Sequence, residues 1–162
     1  MGVVIIESIV GCFIVLITCV IGISNGAVGL VCLYEKEVQA RVIELGITTE
    51  KRIKRNELLF KVFGIIPFFV FVIISVYVIN GTRGFWGGFW QICFILMVEG
   101  IFDRLFIDYY WVGKTKAWII PQTEDLIPYI YGRTLIIKWI FTLIGYPIIA
   151  IVISGIMMLL IK

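Results

Sequence analysis

The sequence predicts an all-α integral membrane protein: a four-transmembrane-helix bundle with a cytoplasmic extension of the first helix and an interfacial loop between the third and fourth. Three observations carry this. Apolar side chains make up 61% of the 162 residues, and the mean hydropathy is +1.08. Soluble domains hold about 45–50%, and one this small has no interior large enough to hide the excess. Four apolar runs, at about 3–33, 58–79, 85–107 and 134–161, each reach the roughly 20 residues that cross a hydrocarbon core. Twelve of the fourteen Lys and Arg lie in or beside 34–61 and 104–138. The positive-inside rule assigns those two segments to the cytoplasm. Both termini and the short 80–84 loop, with Arg83 and Lys162, then lie outside, in a multi-pass protein of the plasma membrane.

The first run is long and carries no Lys or Arg ahead of Lys36. A cleaved signal peptide has basic residues before a shorter apolar core, so a retained helix is expected. Gly22, Gly26 and Gly29 offer a close-packing seam of the GxxxG kind. Residues 34–57 form a charged cytoplasmic segment. Helix 1 is expected to continue into it, since Glu37 and Arg41 have helical i, i+4 spacing. Gly46 then stops that helix, and Thr48 or Thr49 caps the next, with Glu50 in its first turn. Pro67 inside the second run predicts a kink or a loosened turn. Phe85, Trp86, Phe89 and Trp90 open the third run, and Tyr109, Tyr110 and Trp111 close it, as aromatic belts at the two interfaces. The 108–133 segment, with Trp118, Pro121 and Pro128, reads as an ordered interfacial loop. Pro147 lies inside the fourth run.

Several functions are excluded. There is no histidine, which removes His-ligated haem, His-bearing metal sites and His-based triads. The four cysteines, Cys12, Cys19, Cys32 and Cys93, include no C-x-x-C pair and no zinc pattern. They read as small apolar side chains. No P-loop, nucleophile elbow, or nicotinamide or flavin fingerprint is present. A net charge of +3 without a clustered basic face argues against nucleic acid.

The unusual feature is the string Glu99-Gly-Ile-Phe-Asp103-Arg104-Leu-Phe-Ile-Asp108. At 1.5 Å per residue, Glu99 lies about 21 Å below Phe85, inside the hydrocarbon depth and toward the cytoplasmic side. A charge there must face the protein interior and find a partner. Glu99 and Asp103 share one α-helical face with Tyr110. Arg104 and Asp108 share another and pair with each other. The expected cluster is therefore Lys61, Glu99, Asp103 and Lys138, opening to the cytoplasm. If a metal binds, Glu99 and Asp103 are its ligands, because hard cations take carboxylate oxygens.

Arg104 is counted with the binding residues, and Asp108 and Tyr110 are secondary candidates; further ones lie at the mouth of the second helix: Arg52, Arg55, Asn56 and Glu57. This Arg-x-x-Arg-Asn-Glu string resembles a few residues of the four-helix membrane glutathione transferases, whose length and topology are similar. The likeness ends there and departs from that family's fuller Arg/Asn/Glu pattern. It implies an anionic cosubstrate held by Arg52 and Arg55. Three functions follow from these residues. The cluster favours a binding or transport protein with a cytoplasm-facing pocket around Glu99. The alternatives are a membrane enzyme acting on a lipid or amphipathic substrate, and an accessory or scaffolding subunit without a site. Membrane lipids are expected partners, and so is self-association through the helix 1 glycines or a membrane partner subunit.

Overall fold

The computed structural model describes residues 2–161, so Lys162 lies outside the described residues. Among these the chain is all-helical, and four helices are long and apolar enough to cross a membrane. They are α1 (Gly2–Ile23), α3 (Glu50–Ile79), α4 (Phe85–Val112) and α5 (Gly132–Leu160). A short helix, α2 (Lys36–Glu44), precedes α3.

The first apolar run is not one helix. Ser24 Oγ donates to the Ile21 carbonyl at 2.8 Å, a local bond that competes with the helical ladder. Gly26 then turns at φ 103°, a conformation glycine adopts without strain. Residues Ala27–Leu33 form a 3₁₀ segment that folds back on the end of α1. The fit depends on Gly29: a Cβ there would stand 2.1 Å from the Gly22 carbonyl oxygen. Gly22 and Gly29 therefore serve this internal fold-back. Tyr34 is extended, so α2 is separate from α1 and does not continue it.

Other local signals act as their chemistry dictates. Gly46, at φ 70°, ends α2. Its N–H donates to the Ile43 carbonyl and that of Ile47 to Val42, the paired bonds of a Schellman turn. Thr49 caps α3, its Oγ1 accepting from the Arg52 N–H at 3.3 Å. Pro67 lacks an N–H, and its ring presses on the carbonyl four residues back. The turn before it, Lys61–Ile65, is widened to π geometry. Pro147 has the same effect on Phe141–Gly145. Asp103–Val112 at the end of α4 is also π-helical, and no proline causes it.

Two cores result. Where α1, α3, α4 and α5 pack together, Val72, Ile92, Ile95, Leu96 and Ala150 are fully buried. A second core forms a cap over one end of the bundle, from residues 27–53 and the loop 113–131. In it Tyr34 lies 5.0 Å from Tyr129, and Tyr129 Oη is 2.8 Å from buried Thr123 Oγ1. Arg41 reaches Asp125 at 3.4 Å, and the Tyr131 hydroxyl donates to Glu37 at 2.6 Å. At the opposite end Glu7 is buried and accepts from Asn80 at 2.9 Å.

The outward faces of the long helices are apolar. Ile6, Phe63, Ile144 and Leu159 are all more than half exposed, and charged side chains lie among the buried residues. This is the reverse of the distribution that water imposes.

Candidate functional site

The π turn beginning at Asp103 shifts the register of the side chains beyond it. Hydrogen bonding from i to i+5 turns the chain less per residue than an α-helix does. On an α-helical wheel Arg104 and Asp108 leave the Glu99 face. Here Glu99, Arg104 and Asp108 are all buried and border one cavity. Glu99 is fourteen residues from Phe85 and thirteen from Val112, so it lies mid-helix in α4. The third helix runs five residues past its expected end at 107.

Across from α4, α5 presents Lys138, Thr142 and Tyr146 at four-residue spacing, and the stripe continues through buried Ala150 and Ser154. Lys138 Nζ donates to Asp108 Oδ1 at 2.8 Å. Tyr146 Oη donates to Glu99 Oε2 at 3.0 Å. Arg104 Nη1 stands 2.6 Å from Asp108 Oδ2 without the alignment of a hydrogen bond, and Nη2 bonds Asp103. Gly100 permits the close approach of the two helices. A Cβ there would meet Tyr146 Cε2 at 2.6 Å and Thr142 Cγ2 at 2.7 Å.

The cavity has a volume of about 320 Å³, at the small end of the range for small-molecule sites. The charged groups form part of its wall. Aromatic and aliphatic side chains supply most of the remainder, including Phe60, Phe68, Phe141, and Tyr34 and Trp118 of the cap. Tyr34 Oη, Trp118 Nε1 and Arg104 Nε are buried with no partner among the described residues. All three residues border the cavity, where the acceptor atoms of an occupant would satisfy them.

The expected grouping changes in composition. Lys61 is not in it. It is exposed and paired with Glu57 at 2.6 Å, one helical turn away on α3. Tyr110 is exposed and packs on Phe106, with ring centroids 5.8 Å apart. Asp103 is held by Arg104 and Glu99 by Tyr146, so the two carboxylates answer to different partners. Among the described residues no three acidic or cysteine side chains converge as a metal-binding group. Arg52, Arg55 and Asn56 line a separate cavity, while Glu57 is occupied by Lys61.

Tyr146, Thr142, Tyr34 and Trp118 are the additions. The α5 stripe was visible as polar residues every fourth position in an apolar run. Nothing local marks Tyr34 or Trp118, which reach the site only through the packing of the cap. No protein-family model, curated protein or solved structure matches the chain.

Proposed function

We propose that this chain is a multi-pass membrane protein, with its basic loops and cap in the cytoplasm, that binds and transports a lipophilic monocation through the Glu99 pocket. The apolar outer faces of α1, α3, α4 and α5 support the membrane placement. The twelve basic residues beside the capped end support the orientation. The plasma membrane is its expected location.

One observation carries the choice of ligand. The cluster holds three carboxylates, Glu99, Asp103 and Asp108, against two cations, Arg104 and Lys138. With all five ionised it bears one uncompensated negative charge in an apolar setting. Such a charge is costly to bury. One proton or one bound monocation brings the cluster to neutrality, so the two compete for the same site. The aromatic wall suits a lipophilic cation, because ring faces attract positive charge. Fully buried Ile92, Ile95, Leu96 and Ala150 lie beyond Glu99 on the side away from the cap. Entry is therefore expected from the capped, cytoplasmic side.

The test is equilibrium dialysis of choline phenyl ether against the purified full chain in detergent. The cation should bind, and its neutral carbon isostere 3,3-dimethylbutyl phenyl ether should not. Glu99→Gln should abolish binding while leaving the circular-dichroism spectrum unchanged. Equal binding of both ethers, or undiminished binding by a folded Glu99→Gln variant, would overturn the proposal.

A further inference from the structure

A second cavity, of about 490 Å³, opens where the fold-back of Ala27–Leu33 meets the first turns of α3. Its rim is polar and basic. Arg52, Arg55 and Asn56 lie three and four residues apart, on one face of α3. Asn56 Nδ2 donates to the Gly29 carbonyl at 3.0 Å, tying this face to the fold-back. The neighbouring carboxylates are already engaged: Glu50 pairs with Lys54 at 2.6 Å and Glu57 with Lys61 at 2.6 Å. Among the described residues neither arginine has an ion-pair partner, although both border the cavity. The same face of α3 continues through apolar Leu59 and Phe63, and Ile21 joins them from α1. Ile21 and Phe63 are 66% and 72% exposed, so the cavity runs out onto the apolar outer face of the bundle.

We infer that this cleft is a binding site for an anionic phospholipid. Arg52 and Arg55 hold the headgroup phosphate, and the first part of an acyl chain lies along Ile21, Leu59 and Phe63. Planar guanidinium groups match the geometry of phosphate oxygens and bind them in pairs. A free phosphate would use the arginines and leave the apolar wall idle, whereas a phospholipid uses both. The cleft adjoins the Glu99 cavity at Thr18 and Phe60, but none of the charged residues of that cluster lines it, and the inference does not depend on what the cluster binds.

The experiment is native mass spectrometry of the detergent-purified full chain, titrated with dioleoylphosphatidylglycerol, dioleoylphosphatidylcholine or inorganic phosphate. Retention of the glycerol lipid over the choline lipid should persist at about 1 M salt, where the Debye length is about 3 Å and diffuse attraction is screened. Arg52→Gln with Arg55→Gln should lower that retention roughly tenfold, the scale of two solvent-exposed ion pairs. Lys51→Gln with Lys54→Gln removes the same charge from exposed positions and should leave retention unchanged. Glu99→Gln should also leave it unchanged, which separates this site from the monocation pocket. Equal retention of the two lipids, equal losses in the two double variants, or displacement of the lipid by inorganic phosphate would each overturn the inference.

Discussion

The Tyr146 hydroxyl donates to the Glu99 carboxylate across 3.0 Å, and this bond joins α5 to α4 in the interior of the bundle. It is the only hydrogen bond from a neighbouring helix to Glu99 among the described side-chain bonds. Removing it with Tyr146→Phe should destabilise the protein by about 1.5–3 kcal/mol, the usual range for a bond to a charged group. The same change made on a Glu99→Gln background should cost about 1 kcal/mol less, because a neutral acceptor gains less from the hydroxyl. Thermal unfolding of all four proteins in one detergent measures the coupling. Independent, additive losses would show that the bond does not link the two residues.

Lys138 is one of only two cations in a cluster with three carboxylates. Replacing it by Met leaves Asp108 with Arg104 alone and raises the uncompensated charge. A loss of about 3–5 kcal/mol is expected, as for a buried pair that loses one member. Adding Asp108→Asn should recover most of that loss. A single variant as stable as the original would mean that Lys138 reaches solvent and contributes little.

Two glycines on the long helices should respond in opposite ways to a methyl group. At Gly100 a Cβ meets the Tyr146 ring at 2.6 Å. Gly100→Ala should therefore destabilise by about 1–3 kcal/mol and weaken cation binding, because the ring is displaced from Glu99. At Gly155 nothing lies within 4 Å of the added atom. Gly155→Ala should be neutral or stabilising by up to about 1 kcal/mol through helix propensity. Unfolding midpoints in the same detergent compare the two.

Tyr131 and Glu37 link the loop 113–131 to α2. The hydrogen bond to the Glu37 carboxylate, with minor help from burial, pushes the Tyr131 phenol up to about 12, from an ordinary value of about 10. Its folded value is raised, so any stabilisation from the pair is fully present below pH 10 and is lost as pH rises through about 12. Glu37→Gln should bring the phenol back toward 10. The difference in ultraviolet titration between the two proteins isolates this tyrosine from the other six. Superimposable titrations would show that the contact does not persist in solution.

Much of the fold was legible because each signal acts over a few residues. Length and hydropathy identify the four long helices. Gly46, Thr49 and Pro67 mark their turns, caps and loosened geometry through their own backbone chemistry. The break at residues 24–26 was hidden inside an apolar run. Hydropathy does not distinguish a helix that ends from one that continues, and the break was marked only by glycines that also suit a packing seam. Lys61 pairs differently from its expectation for a related reason. Its nearest carboxylate is Glu57, one helical turn away on α3, and that local pair wins over a longer reach toward Glu99.

The sequence alone determined that this chain is helical, apolar on its outside, and asymmetric in its loop charges. Hydrophobicity and helical hydrogen bonding are local properties, and each is carried by the residues that express it. Only the tertiary structure decided the company of Glu99. An α-helical period separates it from Arg104 and Asp108, yet in the folded chain all three border one cavity. The approach of α5 at Gly100 then supplies Tyr146 and Lys138. Those contacts depend on angular register and on distances between helices. No window of sequence encodes either, because both are set by how the four helices pack.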